Sequence, residues 1–185
     1  MTNSLALNKT GIKMKTLITT AAVIAAVVLP QIFHAVGIAS GLGAGVGAAF
    51  LPMHLPVFLA GLLAGPVVGL AAGILSPLVS FAFSGMPSAV MLPNIIAELA
   101  GYGLVAGLLI NTKLPVLGKL LIAQIAGHIL KSAVIVFSVY AVGAQSVPVA
   151  LIWSSIVTGL PGIALQWSLI PLIMYRVGNR KNGHE

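Results

Sequence analysis

Two charged residues lie inside long apolar stretches of this chain. Glu98 is the single acidic residue besides Glu185 at the C-terminal position, and it lies within the apolar run 86–109. Lys131 lies within a second apolar run, whereas the other basic residues lie near the ends of the sequence or in one short connection. A charge inside an apolar membrane segment is costly, so it usually marks a solute site or a proton path. An ion pair between the two would lower the cost of both, and such a pair could be structural or could bind solute.

Polar side chains recur around both charges at the spacing of one helix face. The two stripes are Asn94, Glu98 and Tyr102 on one predicted helix, and Gln124, His128 and Lys131 on the next. Residues three or four apart share a face, and a polar stripe on a membrane helix must face protein or water rather than lipid. A rise of about 1.5 Å per residue places both charges about 15 Å below the outer ends of their helices. We therefore predict that Asn94, Glu98, His128 and Lys131 project into one polar cavity.

Three further residues near the predicted outer face have side chains that can bind ligands. His34 and His54 could line the mouth of a pocket, but no third metal ligand lies near them in sequence, so we predict no metal site. Cysteine is absent, which excludes disulfides and thiolate metal sites. Trp153 could stack on a flat heterocycle, or it could anchor its helix at the membrane interface.

Motifs of the common catalytic sites are absent from the sequence. It contains neither the Gly-x-x-x-x-Gly-Lys-[Ser/Thr] nucleotide-binding loop nor the His-Glu-x-x-His zinc motif. It also lacks the Gly-x-Ser-x-Gly nucleophile motif. We therefore predict that the chain is not an enzyme and does not hydrolyse ATP, so that energy for any transport comes from partner proteins or an ion gradient.

Composition predicts that the elements carrying these residues are membrane helices. Of the 185 residues, 59% are hydrophobic and 6% are charged, and the mean hydropathy is +1.13. This leaves too little polar surface to cover a soluble core. The net charge of +7 comes from basic residues near helix ends, where they face an anionic leaflet, and does not indicate nucleic-acid binding.

Six apolar segments approach the length of about 20 residues that a helix needs to cross the hydrocarbon core. They are 15–34, 50–64, 66–83, 88–110, 115–142 and 148–176. Between the first two lies the stretch 37–47, whose five glycines make it too flexible for a helix prediction. The predicted fold class is all-α, a six-transmembrane-helix bundle over residues 15–177 with short tails at 1–14 and 178–185.

Basic residues predict the orientation of this bundle. They cluster before the first segment, between the fourth and the fifth, and after the sixth, at Lys9, Lys13, Lys15, Lys113, Lys119, Arg176, Arg180 and Lys181. With six spans all three clusters fall on one side, which the positive-inside rule makes cytoplasmic. We therefore predict that both termini are inside, and that the turns at 84–87 and 143–146 face outside together with the glycine-rich stretch.

Six strings occur in the order and spacing of a known family. They are Leu51-Pro52-Met53-His54-Leu55-Pro56, Gly65-Pro66-Val67-Val68-Gly69, Ser76-Pro77-Leu78-Val79-Ser80, Ser84-Gly85-Met86-Pro87, Glu98-Leu99-Ala100-Gly101-Tyr102-Gly103-Leu104 and Gly159-Leu160-Pro161-Gly162-Ile163. Over about residues 15–176 the chain resembles the substrate-binding S components of energy-coupling factor (ECF) vitamin importers. It is most similar to the branch that includes pantothenate, pyridoxine/hydroxymethylpyrimidine and folate binders.

The resemblance implies a multi-pass protein of the bacterial cytoplasmic membrane that binds a water-soluble vitamin near its outer face, under a first long loop at residues 35–49. Pantothenate is the favoured vitamin, with pyridoxine or hydroxymethylpyrimidine close behind. The implied partners are a transmembrane coupling subunit and two ATP-binding-cassette ATPases, which use the ATP, so this chain needs no cofactor. The candidate binding residues are then Asn94, Glu98, Tyr102, His128, Lys131, Trp153 and His54.

The first predicted helix carries the Ala-x-x-x-Ala pattern with which the family contacts its coupling subunit. Ala21 and Ala25 are four residues apart, and so are Ala22 and Ala26. Small residues at this spacing let helix backbones approach closely in lipid, where packing drives association. The same residues could instead pack inside the bundle.

The residues leave two questions open. A self-sufficient proton-coupled secondary carrier could use Glu98, His128 and Lys131 as a proton relay, although the sequence shows no inverted repeat of the kind such carriers contain. A site with one acid and one base has no net charge, so it suits a neutral heterocycle or a carboxylate ligand equally well.

Overall fold

The chain folds into helices. The computed structural model describes residues 11–43, 45–141, 143 and 148–182, and these residues contain no strand. The helices are α1 (Ile12–Ala39), α2 (Gly45–Phe50), α3 (His54–Ala64), α4 (Pro66–Ser84), α5 (Leu92–Leu108), α6 (Val116–Tyr140) and α7 (Leu151–Asn182). The predicted all-α class is thereby confirmed. Residues 1–10 and 183–185 of the predicted tails, and 144–146 of one predicted turn, lie outside the described residues.

Four of these helices are long and apolar enough to cross a membrane. They are α1, α4, α6 and the part of α7 from Leu151 to Val177. α3 and α5 are apolar but have only 11 and 17 residues, which gives about 16 Å and 26 Å of helix against a hydrocarbon core of about 30 Å. Both short helices are buried over much of their length. The chain is thus a membrane protein with several apolar helices, and the six-span count and the orientation stay predictions.

Proline and glycine set the boundaries of α4 where the sequence predicted them. α4 begins at Pro66, a residue that suits the first turn of a helix because an N–H group there has no partner. Gly65, with φ 95°, is the single residue between α3 and α4. At the other end Gly85 has φ 68°, and its N–H donates to the carbonyl of Phe81 in a left-handed cap that glycine adopts without strain.

The glycine-rich stretch after the first span is more helical than predicted. α1 continues to Ala39 and α2 begins at Gly45, so both ends of the stretch 37–47, for which the sequence supported no helix prediction, are helical. The reason is close packing, since a Cβ at Gly47 would lie 2.7 Å from Nε2 of His34. This glycine lets α2 lie directly on α1, and such contacts offset the conformational entropy that glycine loses in a helix.

α5 lies at the centre of the bundle and packs against α3, α4 and α6. Its contact with α4 runs through glycines spaced four apart on each helix, Gly69 and Gly73 on α4 and Gly103 and Gly107 on α5. A Cβ at Gly73 would lie 2.6 Å from the carbonyl carbon of Leu99, which leaves no room for a side chain. This small-xxx-small packing brings two membrane helices backbone to backbone, and it sets the rotation of α5 against α4.

α6 approaches α5 just as closely from another side. A Cβ at Gly127 would lie 2.7 Å from the carbonyl oxygen of Glu98, and a Cβ at Gly101 would lie 2.9 Å from the Cα of Gly127. The two backbones therefore touch at the level of Glu98. Side chains of α6 that follow Gly127 in sequence can then reach the carboxylate of Glu98.

Candidate functional site

The carboxylate of Glu98 is the centre of a buried polar network. Glu98 is 3% exposed, and its Oε2 accepts a hydrogen bond of 2.9 Å from Nζ of Lys131. Its Oε1 accepts a bond of 3.1 Å from the hydroxyl of Tyr102 and lies 3.1 Å from Nδ1 of His128. We call these four residues the Glu98 network. The sequence left open whether Glu98 and Lys131 pair with each other, and in the structure they do, so that both charges are compensated inside the bundle.

Helix geometry and aromatic packing hold the Glu98 network in place. Glu98 and Tyr102 are one turn apart on α5, and His128 and Lys131 are nearly one turn apart on α6, so each pair shares a face. The ring of Tyr102 stacks on Phe58 of α3 with centroids 4.9 Å apart and meets the ring of His128 edge-on. The Tyr102 hydroxyl also lies 3.1 Å from Nε2 of His128. Three helices thus restrict the position of the carboxylate.

His54, the first residue of α3, lies beside this network. Its Nε2 is 3.9 Å from Oε2 of Glu98 and its ring centroid is 5.3 Å from that of Tyr102. His54 is 5% exposed, and neither ring nitrogen has a hydrogen-bond partner among the described residues. Oδ1 of the buried Asn94 lacks a partner in the same way. Among the residues that the structure describes, no group of three histidine or acidic side chains is arranged to hold a metal ion.

A cavity of about 200 Å³ adjoins His54. Its walls come from α1, α2, α4, the first turn of α5 and the segments 51–54 and 86–87, and its polar lining consists of Gln31, His34, His54 and Ser80. From the predicted covering loop 35–49, Gly47 of α2 lines the cavity. His54 therefore contacts both the cavity and the Glu98 network.

The predicted binding residues are brought together in part. Glu98, Tyr102, His128 and Lys131 form the network, and Asn94 is buried one turn before Glu98. Of the predicted set only His54 lines the cavity described above. Trp153 of α7 is 73% exposed, which agrees with the alternative of an interfacial anchor. The role of these residues in binding stays a prediction.

Gln124 was predicted to share a helix face with His128 and Lys131, but its side chain bonds to α7 instead. Its Nε2 donates to Oε1 of Gln166 at 3.0 Å, and its Oε1 accepts a bond of 2.8 Å from Nε1 of Trp167. Gln124 thus ties α6 to α7 instead of joining the Glu98 network. Two polar residues that line the cavity, Gln31 and Ser80, were not predicted from the sequence. Gln31 lies three residues before His34 on α1, and this helical spacing of two polar residues in an apolar segment was the signal that could have found it.

The four alanines of α1 divide into two pairs. Ala26 is 0% exposed and Ala22 is buried, and both belong to the hydrophobic core of the bundle. Ala21 is exposed and Ala25 is partly exposed. The prediction that all four face a coupling subunit is corrected for Ala22 and Ala26, because their side chains fill space inside the bundle. Ala21 and Ala25 are accessible to a partner.

A comparison with protein-family models identifies one family. Residues 15–174 match the model described as "ECF transporter, substrate-specific component". The match covers nearly all of the helical region, including every residue of the Glu98 network. Comparisons with curated proteins and with solved structures found no match.

Proposed function

The chain belongs to the substrate-specific components of ECF transporters, and from this premise we propose that it captures a water-soluble vitamin or vitamin precursor at the outer face of a bacterial cytoplasmic membrane. The family consists of transporter components, so the chain is not an enzyme. Pantothenate, pyridoxine and hydroxymethylpyrimidine are the candidate vitamins, as the similarity to their branch implies.

The position of the cavity is the observation that carries this proposal. The cavity is lined by His34 near the C-terminal end of α1 and by His54 at the N-terminal end of α3. Lys15 and Lys113 lie at the opposite ends of their helices, near the start of α1 and after the end of α5. If the basic ends are cytoplasmic, the cavity opens toward the outside, where a nutrient is captured.

The proposed energy source is a partner module. A transmembrane coupling subunit and two ATPases would supply the ATP hydrolysis, and this chain would carry no cofactor of its own. Ala21 and Ala25 offer the coupling subunit a strip of α1 on which a second helix backbone can approach closely. The remaining outward residues of α1, such as Ile24 and Val28, are apolar and exposed, which suits contact with lipid or with a membrane partner.

A proton-coupled secondary carrier is the second candidate function. The contacts of Glu98 with His128 and Lys131 favour it, because neighbouring titratable groups inside a membrane bundle can relay protons. Membership of the ECF transporter family favours the first candidate function. The two functions differ in their energy source, which is ATP hydrolysis by partner proteins for the first and a proton gradient for the second.

Uptake of labelled vitamins by whole cells tests the proposal. Cells would express this chain alone, with an intact coupling module, or with a module whose ATPases are inactivated at the nucleotide site. We expect uptake of one of the three candidate vitamins with the intact module only, and little response to an uncoupler. Uptake by the chain alone that collapses with an uncoupler would establish the carrier instead.

A further inference from the structure

The four polar residues that line the cavity differ in what they can offer to a molecule inside it. Both ring nitrogens of His54 are fully enclosed, and Nε2 lies 3.9 Å from the carboxylate of Glu98. The ring of His34 packs under α2, where a Cβ at Gly47 would lie 2.7 Å from its Nε2. Gln31 of α1 is exposed, so its amide can find hydrogen-bond partners outside the cavity. The fourth polar residue is Ser80 of α4.

Ser80 has a hydroxyl group that its own helix does not use. The serines one turn before and one turn after it donate to backbone carbonyls of α4, Ser76 to Ala72 at 2.6 Å and Ser84 to Ser80 at 2.8 Å. Among the described residues the Ser80 hydroxyl has no such partner, although the residue is only 2% exposed. Its Oγ is not one of the fully enclosed polar atoms, unlike the ring nitrogens of His54. A molecule in the cavity can therefore reach this hydroxyl.

A partner from outside the helix would explain why a serine stands at this position. A serine inside a helix commonly satisfies its hydroxyl by bonding to the carbonyl four residues earlier, as Ser76 and Ser84 do. A buried hydroxyl without a partner is costly, and alanine would occupy the same place in α4 without that cost. The unused hydroxyl of Ser80 thus points to a hydrogen-bond acceptor that comes from the cavity.

We propose that Ser80 is a substrate-binding residue, whose hydroxyl donates a hydrogen bond to an accepting oxygen or nitrogen of the captured molecule. The inference rests on the proposed function and deepens it, because it places a binding residue on α4, outside the predicted set on α3, α5, α6 and α7. Most of the cavity lining is apolar. In a pocket of this kind a few polar groups fix the orientation of a ligand that is held mainly by apolar contacts.

Thiol labelling tests whether position 80 can be reached from the cavity. The chain has no cysteine, so Ser80→Cys and Ser76→Cys each carry a single thiol. Ser76 is the matched control, because it lies one turn away on the same helix, is 0% exposed and does not line the cavity. In nanodiscs we expect methyl methanethiosulfonate to label Ser80→Cys about tenfold faster than Ser76→Cys, since exposure governs thiol reactivity. Equal labelling rates in the two folded variants overturn the inference.

Calorimetric titration of the full-length chain tests the hydrogen bond itself, with pantothenate, pyridoxine and hydroxymethylpyrimidine as probes. For the probe that binds most tightly, Ser80→Ala should weaken affinity about threefold to tenfold, the usual contribution of one hydrogen bond. Its thermal unfolding should not be lowered, because the hydroxyl has no partner in the ligand-free chain. Ser76→Ala should bind like the wild type. The same probe should slow the labelling of Ser80→Cys.

The outcomes separate this inference from the proposed function. Unchanged affinity in a folded Ser80→Ala protein, or a probe that binds and does not slow the labelling of Ser80→Cys, overturns the inference and leaves the proposed function standing. An equal loss of affinity in Ser76→Ala also overturns it, because that loss would come from a disturbance of α4. If none of the three probes binds and cells show no ATPase-dependent uptake, the proposed function fails and the inference fails with it.

Discussion

Replacing one partner of the Glu98–Lys131 pair should destabilise the protein more than replacing both. The side chains are 4% and 10% exposed and their charged atoms are 2.9 Å apart. Breaking a buried pair by removing one partner costs about 3–5 kcal/mol, because the other charge is left buried and uncompensated. The structure further predicts that the two single variants, Glu98→Gln and Lys131→Met, lose different amounts of stability within this range.

Glu98→Gln should lower the free energy of unfolding by about 5 kcal/mol, the upper end of this range, which is about three to four powers of ten in the unfolding equilibrium. Glu98 is the single acidic residue besides the C-terminal one, so Lys131 loses its charged partner altogether. Lys131→Met should lie at the lower end, near 3 kcal/mol, because Glu98 keeps His128 at 3.1 Å and has His54 at 3.9 Å. The double variant removes both charges and should cost less than either single variant.

Unfolding in mixed micelles measures stability, and calorimetric titration with the vitamin that the uptake assay identifies measures binding affinity. We expect the double variant to recover stability and to bind within about threefold of the wild type, because neither side chain of the pair lines the cavity. Lys113→Met, in the exposed connection after α5, is the control and should change stability by less than about 0.5 kcal/mol. If the double variant loses as much free energy of unfolding as the two single variants together, the charges of Glu98 and Lys131 do not stabilise each other. If it recovers stability but not affinity, Glu98 or Lys131 touches the ligand.

Three further predictions concern topology, coupling and packing. The chain has no cysteine, so Ser40→Cys should be labelled from outside by an impermeant reagent, whereas Asn179→Cys should be labelled only after lysis if both termini are cytoplasmic. Ala25→Trp should fold and bind ligand but lose transport and pull-down of the coupling subunit, because the bulky ring keeps a partner backbone away. Gly73→Ala should destabilise the protein by about 1–3 kcal/mol in a micelle unfolding assay, because its Cβ has no room against the backbone of α5.

Matched variants on the same helices or the same residue type serve as controls. Ala26→Trp places the ring inside the core, so it should impair folding itself, and equal behaviour of the variants at positions 25 and 26 would contradict the division of the alanine strip. Gly118→Ala adds a Cβ that meets only ordinary contacts at 3.6 Å and beyond, so it should be neutral or slightly stabilising. Labelling of position 179 in intact cells would exclude the predicted orientation.

Much of the local structure could be predicted because it depends on local properties of the sequence. Composition alone requires membrane helices, since the chain has too few polar residues to cover a soluble core. The Gly65-Pro66 boundary follows from the backbone preferences of two residues. The shared face of Glu98 and Tyr102 follows from the helical period. Similar depth and the cost of leaving either charge alone in an apolar segment indicated that Glu98 and Lys131 could meet, but the sequence did not decide whether they pair with each other or with ligand.

Only the tertiary structure decided which neighbour each polar or small residue faces. Gln124 shares a helix face with His128 by spacing, yet it bonds to Gln166 of α7. Ala22 is buried while Ala21, its neighbour in sequence, is exposed. These outcomes depend on how each helix is rotated about its axis and on which helix lies beside it. Backbone contacts at glycines such as Gly73 and Gly127 set that rotation. The helical period shows which residues share a face, but it does not show which neighbouring helix that face meets.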